Sequence, residues 1–105
     1  MKIEYREKSI KVDICNTFKA KLFGFMFKKE INKILCFEKC NSIHTFFMLK
    51  PIDVIMTDKY FNVVYIHKNL MPWRIILPKR NVFYTFELKP DLISVKIGDK
   101  LNIKK

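Results

Sequence analysis

The stretch Cys40-Asn41-Ser42-Ile43-His44-Thr45-Phe46-Phe47-Met48-Leu49-Lys50-Pro51-Ile52-Asp53-Val54-Ile55-Met56-Thr57-Asp58 decides how the chain is read. After Pro51 the residues alternate. Ile52, Val54 and Met56 face one side, and Asp53, Ile55 and Thr57 the other. A period of two predicts a strand. Proline has no N–H to give to a ladder, so Pro51 marks where that strand starts. Ahead of it, Ile43 to Met48 sets Thr45 among bulky apolar side chains and predicts another strand. Chemistry is concentrated here as well. One of the two histidines lies in this stretch, Cys40 opens it, Cys36 just precedes it, and Asp53 places an acid inside an apolar run.

The rest of the chain extends the β reading in both directions. Val63 to His67 predicts a partner strand, joined by Asp58 to Asn62 in a hairpin without Asn-Gly or Asp-Gly chemistry. Asn69 to Pro78 is a loop with two prolines and the sole tryptophan, Trp73. From Val82 to Leu88, Val82, Tyr84, Phe86 and Leu88 alternate with Phe83, Thr85 and Glu87. Lys89-Pro90-Asp91 and Gly98-Asp99-Lys100 read as turns, the second leading to a last strand, Leu101 to Ile103. Upstream, residues 9–15 alternate and Ile34 to Phe37 form an apolar run, both strand-like. Between them, Phe18, Leu22, Phe25 and Met26 recur at helical spacing. They predict a short helix from about Phe18 to about Phe23, stopped by Gly24. Six or seven short strands with one short N-terminal helix imply a mainly β domain over residues 1–105, a compact β-sandwich or a partly open barrel.

Composition narrows the function classes. With 105 residues, half of them apolar and ten of them Phe, one modest core can form. The two glycines, Gly24 and Gly98, cannot build a Gly-rich phosphate cradle of either standard pattern. Three cysteines cannot all pair within one chain, which fits a reducing compartment. The first eight residues lack an apolar signal core, and no apolar run approaches the ~18 residues that span a bilayer. A soluble cytoplasmic protein with no membrane partner is expected. The formal net charge of +11 admits nucleic acid as a partner. Lysines scattered singly, with Ile, Asn and Phe also abundant, trace more simply to codon bias. One contiguous basic face would argue for nucleic acid instead.

In their order, the landmarks resemble a known family. Gly24-Phe25-Met26 stands where that family has Gly-Leu-Met. Phe47-Met48, Pro51-Ile52-Asp53-Val54-Ile55, Asp58, Val63-Val64, Pro72, Phe86-Glu87-Leu88 and Gly98-Asp99 follow. The pattern resembles the prokaryotic family called domain of unknown function 192 over about Thr17 to Ile103, in a subgroup with Ile-His-Thr-Phe-Phe-Met before Pro-Ile-Asp. Where the common form carries Trp-Met-Lys-Asn-Thr, this chain has His44-Thr45-Phe46-Phe47-Met48. Lys28 stands for the usual Arg, and Lys89-Pro90-Asp91 replaces a usual glycine. The resemblance implies a compact β-rich fold and no established activity.

Several side chains are candidates for chemistry. His44 and Asp53, if brought together, would make an oriented general base for a hydrolase. The structural alternative, Asp53 accepting backbone N–H groups, carries more weight, because buried polar groups usually serve hydrogen-bond satisfaction. Cys40 and His44 lack a nearby glycine to open an oxyanion hole. Cys36, Cys40, His44 and His67 lie near zinc-ligand spacing but lack a C-x-x-C pair, and neither metal nor cofactor is expected. Glu87 is set either to share a cleft with Asp53 or to face solvent. Trp73 and Arg74 are placed to stack on a base or sugar, with Lys79 and Arg80 reaching phosphate. The reading is a binding or accessory module without turnover, holding an unidentified small molecule or protein in a polar groove. His44, Thr45, Asp53 and Glu87 would line the groove, and Trp73 and Arg74 would edge it. Nucleic-acid binding by the basic surface is the first rival, and a hydrolase using His44 and Asp53 the second.

Overall fold

The computed structural model describes residues 1–15 and 33–104. Among them run nine strands: β1 (Lys2–Tyr5), β2 (Lys8–Cys15), β3 (Ile34–Glu38), β4 (Ile43–His44), β5 (Ile52–Thr57), β6 (Val63–Leu70), β7 (Ile75–Ile76), β8 (Tyr84–Leu88) and β9 (Asn102–Lys104). Seven form one sheet in the order β6-β5-β8-β3-β2-β1-β9, and β4 pairs with β7 in a small second sheet. Only β2 and β3 pair in parallel; the other neighbours are antiparallel. The large sheet curls into a half-barrel. Its ends approach where Asn62 bridges Lys100, with Val63 N–H donating to the Asp99 carbonyl at 2.7 Å and Leu101 N–H to that of Phe61 at 2.9 Å.

The partly open barrel expected from the sequence is therefore the fold, with β1 and β7 added to the strands read from alternation. The helix expected over Phe18 to Phe23 lies outside the described residues. Among the described residues no helix is long and apolar enough to cross a membrane.

The curled sheet buries apolar side chains on both faces. Ile52, Val54 and Met56 of β5 join Leu35, Phe37, Met48 and Leu70 on one face. Ile55 joins Ile34, Cys36, Phe86 and Leu88 on the other. All six β5 residues are buried, as are the first four of β3. Strands covered on both sides read as near-continuous apolar runs, which is why these two were legible.

The β5–β6 hairpin closes without Asn-Gly because Asp58 does the turn chemistry. Its carboxylate accepts the Tyr60 N–H at 2.9 Å, the Asn62 N–H at 3.0 Å and the Asn62 side-chain amide at 3.0 Å. Phe61 takes the positive φ of 68° that glycine would otherwise supply. The strand expected over Ile43 to Met48 is corrected. Pairing stops after His44, and the Met48 N–H folds back onto the Thr45 carbonyl at 3.2 Å to make a turn.

Asp53 locks the far end of β5. One carboxylate oxygen accepts the Asn69 N–H at 2.7 Å; the other accepts the Asp91 N–H at 2.9 Å and the Lys68 ammonium at 2.8 Å. Lys68 also reaches Asp91 at 2.9 Å. Burial pushes the Asp53 carboxyl up, but the hydrogen bonds from Lys68, Asn69 and Asp91 outweigh it and hold it below its ordinary 3.8. A depressed folded-state value stabilises the fold above the ordinary value, and the contribution is lost as pH falls through the depressed one. Asp53→Asn is expected to cost roughly 2–4 kcal/mol in urea denaturation at pH 7 and to flatten the loss of stability below about pH 4. A wild-type stability at pH 7 retained by the variant would refute the lock.

Candidate functional site

The site grows from one buried hydroxyl. Thr45 is wholly buried between the segments that follow β4 and precede β7. Its Oγ1 donates to the Met71 carbonyl at 2.7 Å and accepts the Arg74 N–H at 2.8 Å. Its backbone N–H donates to the Arg74 carbonyl at 2.8 Å, and its carbonyl accepts the Trp73 N–H at 3.0 Å. Both loops are thereby fixed by one residue whose polar atoms have no water to turn to.

What the hydroxyl fixes is a group of aromatic rings. His44 and Phe46 lie 5.0 Å apart between centroids, Phe46 and Trp73 5.7 Å, and Phe47 and Trp73 4.7 Å edge-on. Phe47 is 46% exposed and Trp73 56% exposed. Both hold a positive φ, 64° and 65°. Bulky side chains avoid this region, and such strain costs on the order of 1–3 kcal/mol per residue. Ile75, opposite His44 in the β4–β7 pair, is also 56% exposed, while the other pair, Ile43 and Ile76, packs inward. Nδ1 of His44 accepts the Phe46 N–H at 3.2 Å, which puts the neutral ring's proton on Nε2.

Of the residues singled out in the sequence, His44, Thr45, Trp73 and Arg74 are brought together here. Asp53 and Glu87 are not. Val54 and Leu35 lie opposite Glu87 in the ladders, so Glu87 shares their face, whereas Asp53 lies opposite Leu88 on the other. The cleft expected to hold both carboxylates is therefore absent, and so is the solvent-facing position considered for Glu87. Asp53 spends its oxygens on Asn69, Asp91 and Lys68 and makes no hydrogen bond to His44. Cys40 donates its thiol to the Ser42 carbonyl at 3.1 Å, not to His44. Cys36 faces the core layer opposite to the one Cys40 packs on, so the spacing that suggested zinc does not converge. Among the described residues no group of three His, Cys, Asp or Glu could hold a metal ion.

Glu87 is 3% exposed, and its Oε1 has no hydrogen-bond partner among the described residues. Burial pushes its carboxyl up to about 8, so it is mostly neutral at pH 7. Burial, then the Glu87 charge, also pushes the Cys15 thiol up, and burial takes Cys36 to about 12. Buried thiols so raised are poor nucleophiles. Phe46, Phe47 and Ile75 were missed as contact residues. Their one signal is the Phe46-Phe47 doublet, which alternation cannot bury on a single face.

The model of the domain of unknown function 192 family, described as Uncharacterized ACR, matches residues 1–103. The chain is 41% identical over 99 residues to a UPF0127 protein of Pyrococcus abyssi, covering 87% of this chain and 84% of that one. It is 42% identical over 98 residues to one of Pyrococcus horikoshii, covering 86% and 84%. A solved structure of a protein of unknown function from Novosphingobium aromaticivorans superposes with a TM-score of 0.79 at 18% identity, covering 97% of this chain and 82% of that one. At that identity the likeness speaks for the fold.

Two outcomes follow from this geometry. Thr45→Val keeps the shape but strands the Arg74 N–H and the Met71 carbonyl. It should cost roughly 2–3 kcal/mol in urea denaturation and lower the fluorescence anisotropy of Trp73. Unchanged anisotropy would deny Thr45 its role. Glu87 has a folded-state value above its ordinary 4.5, so the folded protein holds the extra proton and stability falls as pH rises from about 4.5 to about 8. The unfolding free energy from urea denaturation should drop between pH 5 and pH 8 by up to about 1.4 kcal/mol per pH unit, and Glu87→Gln should remove that slope.

Proposed function

The chain belongs to the domain of unknown function 192 family, and we propose that it is a non-catalytic binding module whose contact face is the aromatic tip built on Thr45. The partner is a protein that offers an extended segment of apolar and acidic residues. One observation carries this reading: Trp73, 56% exposed, holds a positive φ of 65° on a loop that a buried hydroxyl ties to the segment carrying Phe46 and Phe47. Positive φ at a large exposed ring strains the backbone, and strain of this kind collects at binding sites.

The surroundings support the partner's chemistry. Trp and Arg are enriched at the centres of protein interfaces, and Trp73 and Arg74 adjoin here. Arg74, Lys50 and Arg80 are exposed cations on or beside the tip segments, which suits carboxylates on the partner. Among the described residues β4 and β7 pair only with each other, and strand addition is one way an extended segment docks. His44 contributes ring surface and Thr45 positions the loops. Three free cysteines, two of them buried, suit a reducing cytoplasm.

The test uses Trp73, the only tryptophan, as its own reporter. Synthetic peptides alternating Asp or Glu with Phe or Leu are titrated beside versions carrying Lys in place of the acids. Blue-shifted Trp73 emission with the acidic set alone is expected. Binding of a labelled acidic peptide should weaken at least tenfold in Trp73→Ala and in Arg74→Glu. Equal binding of the Lys peptides, an unaffected Trp73→Ala variant, or a shift seen only with anionic vesicles would overturn the proposal.

A further inference from the structure

A second face, on the other arm of the sheet, carries a charge pattern that folding alone does not explain. In the registers of β9, β1 and β2, Lys104 lies opposite Lys2, and Lys2 lies opposite Lys11. Directly opposed residues project from the same side of a sheet. The next row, Ile103, Ile3 and Ile10, turns inward to the core. The three lysines therefore form a row across three adjacent strands on the outward side, and all three are exposed. Like charges directly opposed across strands destabilise a sheet. Among the described residues none of the three makes an ion pair. Among the described residues of these three strands, the carboxylates on this side are Glu4, one position along in the alternation, and Asp13, which Lys33 holds at 2.8 Å and whose carboxyl Lys11 also helps to hold down.

The same strand, β9, borders an open pocket of about 530 Å³, whose lining includes Lys59, Tyr60, Lys100 and Asn102. Tyr60 is 60% exposed, with the Lys59 ammonium 5.3 Å from its ring centroid. An exposed ring in a pocket that also holds Lys59 and Lys100, on the strand that carries Lys104 of the cationic row, matches what a single strand of nucleic acid needs. The lysines meet successive phosphates and the ring stacks on an unpaired base. A duplex hides its base faces and would gain nothing from Tyr60.

We propose that the outward face of β9-β1-β2, together with the Tyr60 pocket, binds single-stranded nucleic acid. This face is separate from the aromatic tip, and each stands or falls alone. The experiment is fluorescence anisotropy of labelled oligo-dT and of a duplex of equal length, from 50 to 200 mM NaCl. The wild-type protein binds the single strand more tightly than the duplex, with log K falling linearly in log salt. Lys2→Ala, Lys11→Ala and Lys104→Ala combined make that slope shallower by about 2, since each phosphate contact contributes roughly 0.7. Tyr60→Ala weakens binding roughly tenfold at every salt concentration, because stacking does not release ions. A control removes three other exposed lysines, Lys39, Lys89 and Lys96. If the control changes the slope equally, if Tyr60→Ala binds as the wild type does, or if no binding occurs at 50 mM salt, the proposal is overturned. All substitutions lie on exposed side chains, and circular dichroism checks that each variant is folded.

Discussion

A single carboxylate sits in the most deeply buried strand, and the surrounding chain is arranged so that it is never left unpaired. Asp53 draws in the end of β6 through Asn69, the turn after β8 through Asp91, and the Lys68 ammonium from the rim. An uncompensated charge at 1% exposure would cost several kcal/mol, so these contacts form together or the strand does not bury. The burial of β5 in turn supplies the barrier between the two apolar layers of the core.

Glu87, on the neighbouring strand β8, shows the other solution to the same problem. It points to the opposite face of the sheet, has no cation beside it in the described part of the chain, and stays protonated at neutral pH because burial alone lifts its carboxyl to about 8. Two acids on paired strands thus end in opposite protonation states. The cause is which face each one meets, not their chemistry. Between about pH 4.5 and pH 8, Asp53 contributes its full stabilisation while that from Glu87 declines, so the fold is best supported toward the acidic end of that range.

The two proposed contact faces both lie outside this interior. The small sheet turns its outer side into an aromatic tip, with the strain of Phe47 and Trp73 offset by the buried bonds of Thr45. On the outer face of β9, β1 and β2, the lysine row alternates with the isoleucine row that packs inward. In both cases a rigid buried layer holds an exposed layer that would not persist in a loose loop. The oriented pair that the hydrolase reading needs is not formed: Nδ1 of His44 accepts the Phe46 N–H, and Asp53 bonds Asn69, Asp91 and Lys68.

Local pattern determined the β class, the hairpin at Asp58, the burial of Ile34 to Phe37 and of Ile52 to Thr57, and the turn at Gly98-Asp99. Each of these is written in neighbouring residues, through alternation or through a side chain that bonds its own turn. The ordered landmarks also pointed to the family. What the pattern left open needed contacts between distant residues. That Thr45 is a staple and not a strand residue depends on Met71 and Arg74, more than twenty positions away. That Asp53 and Glu87 never share a cleft depends on the register between β5 and β8, where one residue of offset sends a side chain to the other face. The lysine row is invisible along the chain, where Lys2, Lys11 and Lys104 are far apart. Only the pairing of the first, second and last strands places them side by side.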